Sequence, residues 1–181
     1  MFISLLFKAY CDYLDGKLKW SDTKAKEWTE TIFQFFSTEN AKQVPLPYIE
    51  IREHMNIDYI WRYDSTRYST NDIELAVEHE GIETRVEVLV EEEIQHLVDL
   101  RARNKLAILY PSSGDEATLL ERIRKKIQFV SEQYRLAENY FILLGYATTK
   151  NGKRAILWKA LSLDKSGNTV EQRERVVMQK S

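Results

Sequence analysis

The sequence is poor in cysteine: Cys11 stands alone among 181 residues and cannot close an internal disulfide. A secreted domain of this size more often carries a paired set, so a reducing compartment, the cytoplasm, is the expected location. Long apolar runs are missing too. Met1 to Phe7 is apolar but lacks a basic start, and Lys8 and Asp12 interrupt it long before the ~18 apolar residues of a membrane span accumulate. Neither a signal peptide nor a membrane segment is expected. There is no excess of charge of one sign. With 26 basic and 28 acidic residues the formal net charge is -2, so no global positive field exists and any contact with a polyanion has to be local. No glycine-rich phosphate loop, paired C-x-x-C motif or G-x-S-x-G elbow occurs. Nucleotide-kinase, zinc-ribbon and serine-hydrolase chemistry therefore has no motif to stand on. Nor is there an internal repeat, a low-complexity tract or an interdomain linker.

What is present is enough apolar surface for one core, since 44% of the chain is hydrophobic and 12% aromatic, which suits a single ordinary domain. We place that domain at residues 1–163 and expect a polar tail, loosely packed, over 164–181, where the apolar pattern thins.

Phe2, Leu5, Leu6, Ala9 and Tyr13 paint one stripe on a first helix that ends near Gly16. Ser21 can cap a second helix with Ala25, Trp28, Ile32, Phe35 and Phe36 inward and Glu27 and Glu30 outward. The period then changes to two. Residues 48–52, 57–61 and 72–80 read as three successive strands. After Gly81, helical spacing returns with Val86, Val90, Leu97 and Leu100, then the run Leu106 to Tyr110 suits a strand buried on both faces. From Ser113 a long charged helix turns Leu119, Ile123, Ile127, Val130 and Tyr134 inward, and a hairpin closes across Asn151-Gly152.

On the third strand alternation sends Ile73, Leu75 and Val77 to one face and Glu74, Glu78 and Glu80 to the other. Residues two apart on a strand rise roughly 6.5–7 Å, a span two carboxylates can close upon a shared cation or water. Asp58 joins them if the strand register sets it beside Glu78. Acids held this close repel one another and lose hydration, so such a cluster calls for a cation or raised pKa values. A hard ion, Mg²⁺ or Mn²⁺, would meet that need, although alternating glutamates also occur on merely solvated faces.

The element order from residue 21 to 110, together with Asp58 followed by Glu78-His79-Glu80, resembles the PD-(D/E)xK nuclease superfamily. The resemblance implies an α/β, restriction-endonuclease-like αβββαβ core, with a mixed central sheet flanked by helices and an extra C-terminal helix and β-hairpin. It implies that Asp58 and Glu78 bind the metal, that the backbone carbonyl of His79 is a further ligand, and that Glu80 takes the catalytic lysine position. The implied activity is metal-dependent hydrolysis of DNA phosphodiester bonds, with a homodimer expected if both strands are cut. Glu in the lysine position removes a positive charge. The alternative is therefore a catalytically inactive domain that keeps the fold to bind protein or nucleic acid.

Other candidates are weaker on pattern alone. Glu93 and His96 make a Glu-x-x-His pair of the kind that chelates metal when several helices contribute, but one copy occurs; Glu93 could instead approach the acidic cluster from outside. His54 falls in a turn and His79 on the apolar side of its strand. For nucleic acid the suggestive cations are Arg62, Arg67 and Arg85 around the acids and Arg122, Arg124, Lys125 and Lys126 on the long helix, with Trp61, Tyr63 and Tyr68 available for base stacking. A charged outward helix face is the plainer account of the second group.

Overall fold

The computed structural model describes residues 2–20, 26–40, 42, 48–54, 56–63, 73–80, 85–112, 114–134 and 139–180. Helices α1 (Phe2–Leu14) and α2 (Lys26–Asn40) precede strands β1 (Ile49–His54), β2 (Ile57–Arg62) and β3 (Ile73–His79). A helical run over residues 86–99 follows, in which α3 (Val86–Val88) passes through a π-helical stretch, Leu89–Ile94, into α4 (Gln95–Asp99). Then come β4 (Ala102–Leu109), α5 (Glu116–Tyr134), β5 (Asn139–Lys150), β6 (Lys153–Leu163) and β7 (Thr169–Met178). All seven strands form one sheet in sequence order. β3, β4 and β5 are parallel and the other neighbours antiparallel, so the protein is α/β with a mixed sheet.

Parallel neighbours need crossover connections. The steps from β3 to β4 and from β4 to β5 go the same way, and crossovers of one hand then lay both connecting helices on one face. Leu89, Val90, Ile94 and Leu97 of the first crossover accordingly share a core cluster with Leu119, Ile123 and Ile127 of α5. The opposite face carries Tyr10 and Leu14 of α1 and Trp28, Ile32, Phe35 and Phe36 of α2. β4 lies between the layers: Leu106 and Ile108 enter one core, Ala107 and Leu109 the other, which is why its sequence is apolar without alternation. Among the described residues no helix is long and apolar enough to cross a membrane.

The Asn151-Gly152 turn is as expected, with φ of 52° and 74° at its two residues, the left-handed pair that a two-residue hairpin of this hand requires. Three expectations are corrected. The tail beyond Leu163 is not loose, because residues 169–178 pair with β6 along their whole length as the seventh strand. The alternation on β3 is not unbroken, because Trp61 faces Leu75 while Arg62 faces Ile73. The extra residue, Glu74, makes a bulge that resets the faces, so Ile73 packs with the crossover helices whereas Leu75 and Val77 face α1 and α2. Trp61 is not available to stack on a base, since it is buried at 3% exposure and stacks on Tyr48. The expected roles of Ser21, Ala25, Arg67, Tyr68, Gly81 and Ser113, and of the His54 and Tyr134 side chains, lie outside the described residues.

Candidate metal centre

The end of β3 decides the site. With Leu75 and Val77 turned toward α2, the pleat turns Glu78 toward the helical run 86–99 and His79 back toward α2. The register Tyr59↔Val77 carries Asp58 opposite Glu78. Asp58 N–H donates to Glu78 Oε2 at 3.3 Å, and His79 N–H donates to Asp58 Oδ2 at 2.8 Å. The Asp58 charge also acts directly on the Glu78 carboxyl. Glu80, half-buried just past the strand, is tied to β4 by its N–H, which donates to the Ile108 carbonyl at 3.1 Å.

The helical run contributes from above. His96 Nδ1 stands 3.4 Å from Glu78 Oε1, yet both atoms are buried without a hydrogen-bond partner. Glu78 itself is only 1% exposed. An oxygen of Glu93 joins them, and the three donor atoms lie within 4.8 Å of one another. Ligands that each sit about 2.0–2.6 Å from one ion stand roughly 3–5 Å apart, so the triad has the dimensions of a coordination shell. The charges of Glu80 and Asp58 act on Glu93 as well, which links all four carboxyls into one electrostatic group.

The electrostatics agree with the geometry. Burial, then the charges of Asp58 and Glu93, push the Glu78 carboxyl up to about 10. Burial, then Glu80 and Asp58, push Glu93 up to about 7. Asp58 is raised, chiefly by burial. Among the described residues no lysine or arginine forms an ion pair with Asp58, Glu78 or Glu93. The pocket therefore relieves its repulsion either by holding protons or by holding a cation. Glu78 Oε1 and His96 Nδ1 face each other without a hydrogen bond, an arrangement that costs ~1–3 kcal/mol at a buried polar atom and that a cation or a proton between them would relieve.

The sequence-expected residues are partly brought together. Asp58, Glu78 and Glu80 meet, whereas Glu74 is held apart by the bulge. The His79 side chain is a core residue, with its rings T-shaped to Tyr110 and Phe33. Trp28 Nε1 donates to the Tyr110 hydroxyl at 2.8 Å, Tyr110 lies 2.9 Å from His79 Nε2, and Thr29 Oγ1 lies 3.2 Å from Nδ1. Satisfying every donor makes Tyr110 donate to Nε2 and Nδ1–H donate to Thr29, and burial pushes the imidazole down to about 3, so it is neutral. Glu93 and His96 are the residues that spacing undervalued. Their Glu-x-x-His signal was legible, but the third member of the cluster comes from a strand rather than from further helices. On α5 the expected basic surface is neutralised: Arg122 pairs with Glu87, Arg124 and Lys125 with Glu121, and Lys126 with Glu91. Compared with protein-family models and with curated proteins, the chain matches none of them.

Proposed function

We propose that the protein is a metal-dependent nuclease that hydrolyses phosphodiester bonds of DNA, and that its β1–β4 segment with α2 and the 86–99 run is a PD-(D/E)xK core carrying a Glu-x-Glu variant. The observation that carries this reading is the pair of orphaned buried donors, Glu78 Oε1 and His96 Nδ1, facing each other 3.4 Å apart among the acids. Glu78, Glu93 and His96 would hold the ion, with Asp58 alongside and the His79 carbonyl, by resemblance, as a further donor. An imidazole in the set moves the preference from Mg²⁺ toward Mn²⁺, because Mg²⁺ favours an all-oxygen shell. When bound, the ion supplies the Lewis acid that offsets charge on the phosphate and acidifies a water.

The remaining work falls to the chain's own groups. Asp58 takes the His79 N–H and thereby fixes the backbone beside the site. Glu80, nearer solvent than Glu78, orients the attacking water and accepts its proton. Incubation of DNA with the protein and Mn²⁺ or Mg²⁺, beside Glu78→Ala, tests the proposal; equal cleavage by the two proteins discards it. The second reading, an inactive domain used for binding, draws on Glu80 in the lysine position. Calorimetric titration with Mn²⁺ separates the two: no heat at the site favours the inactive domain.

A further inference from the structure

We propose that a cleft beside the turn of the β5–β6 hairpin binds the phosphate backbone of the same DNA, away from the acids that act on it. The cleft encloses about 580 Å³ and is lined by Gly16, Lys19, Lys153, Arg154, Met178, Gln179 and Lys180. It is a built feature rather than a chance gathering of side chains. Gln179 N–H donates to the Arg154 carbonyl, Lys180 N–H to the Leu18 carbonyl, and Trp20 N–H to Gln179 Oε1, so β6, the end of β7 and the segment after α1 are stitched together around it. No carboxylate lines it. Among the described residues Lys19, Lys153, Arg154 and Lys180 form no ion pair, and the nearby Asp15 is engaged by Met178 N–H. Four cations that outnumber the one nearby carboxylate, Asp15, on a protein whose net charge is -2, make a local positive field of the kind that attracts a polyanion.

Topology puts this cleft at the same end of the sheet as the acids. Glu78 pairs with Ala107, which pairs with Ile142, and β5 continues from there to Lys150 before the turn. That overhang is roughly 25 Å at ~3.3 Å per residue, and with the lateral strand spacings the cleft lies on the order of 30 Å from Glu78. About nine steps of B-form DNA cover that distance. Beside the cleft, on the face covered by α1 and α2, a second depression of about 500 Å³ shares Gly16 and Lys180, adds Lys17, and reaches Glu30, Thr31 and Gln34 of α2. Its one acid, Glu30, is paired with Arg52 at 2.6 Å.

The choice of DNA as occupant rests on the nuclease proposal; the basic cleft itself does not. Fluorescence anisotropy with a labelled 20-base-pair duplex in EDTA, over a salt series, tests binding without cleavage. Lys153→Glu with Arg154→Glu should weaken binding at least about 10-fold and flatten the plot of log affinity against log salt by about 2, the effect of losing two phosphate contacts. Lys19→Glu with Lys180→Glu should do the same from the other wall, and Lys125→Ala on α5 should change nothing. Circular dichroism and thermal melting confirm that each variant folds. Undiminished binding by both double variants overturns the proposal, as does a parent protein that does not bind the duplex. Phosphatidylserine vesicles bound more tightly than the duplex, with the same loss in the variants, also overturn it by assigning the cleft to a lipid surface. Binding is read in EDTA and cleavage with Mn²⁺, so a failed cleavage test and a failed binding test remain separate results.

Discussion

Glu74 and Glu78 lie on the same strand, four residues apart, and their surroundings could hardly differ more. Glu74 receives the Tyr63 hydroxyl at 2.8 Å and the Asn104 amide at 3.0 Å, and pairs with Arg103 at 3.2 Å. Every demand of that carboxylate is met by groups of the protein. Glu78 is more deeply buried, faces Asp58 and Glu93, and keeps one oxygen unpartnered. A fold that can satisfy one glutamate so fully and leaves its neighbour repelled has room for something else beside the second. Glu74 is a structural carboxylate, and Glu78 has the surroundings of a ligand.

The largest expected effect divides the two glutamates by function. Glu78→Ala should lower DNA cleavage by about 10³-fold or more, as loss of a group acting at the reacting centre does, while Glu74→Gln should leave the rate within a few-fold and cost ~1–3 kcal/mol of stability through its broken network. Cleavage assays and urea unfolding on both variants check this, and a Glu74→Gln protein that is stable but inactive would break the comparison. Next comes the ion. His96→Ala should weaken Mn²⁺ binding by about 10–100-fold and narrow the gap between Mn²⁺ and Mg²⁺, as read by titration calorimetry or by the electron paramagnetic resonance of free Mn²⁺. A parent protein that binds the two ions equally would remove His96 from the shell.

The contrast between the two glutamates also marks how far a sequence speaks. Asp58, Glu78 and Glu80 were legible because a strand has a period of two, and acids at positions 78 and 80 cannot avoid looking the same way. Glu74 shares that parity on paper, but the bulge opposite Arg62 breaks it, and bulges follow from pairing that no single strand announces. Glu93 and His96 were visible as a spacing, yet their convergence on Glu78 depends on the π-helical stretch Leu89–Ile94, whose wider turn changes which residues share a face. β7 was missed for a different reason. It is an edge strand with Val177 as its one buried residue, held by the ladder to β6 and by pairs such as Lys159–Glu174 and Arg175–Asp12, so it carries no apolar period to find.

A smaller effect sharpens the comparison through pH. In metal-free protein the Glu78 carboxyl is raised from its ordinary 4.5 to about 10. The folded state thus binds a proton that the unfolded chain has already released, and the stability this group contributes is complete below about 4.5 and is lost as pH rises through about 10. Urea unfolding in EDTA at pH 6 and pH 9 should show stability falling with pH in the parent and falling less in Glu78→Gln, which cannot ionise. Saturating Mn²⁺ should lessen the parent's fall, because the ion takes the proton's place. Glu74→Gln should leave the slope as it is in the parent.

The smallest expected effect acts on the floor beneath Glu78 and leaves the acids untouched. Gly145 of β5 lies under the Tyr110 ring so closely that a Cβ there would meet ring carbons at 2.7 and 2.8 Å, closer than any relaxed contact. The ring cannot give way freely, since its hydroxyl holds Trp28 on one side and His79 on the other, and His79 in turn presents the N–H that anchors Asp58. Gly145→Ala should therefore cost ~1–3 kcal/mol by overpacking and lower cleavage by only a few-fold, through a displaced Asp58. The Glu74 network lies at the opposite end of β3 and should not register the change. A double-mutant cycle between Gly145→Ala and Asp58→Asn measures this: coupled losses place the strain on the Asp58 side of the strand, while additive losses would mean that Tyr110 and His79 support the core alone.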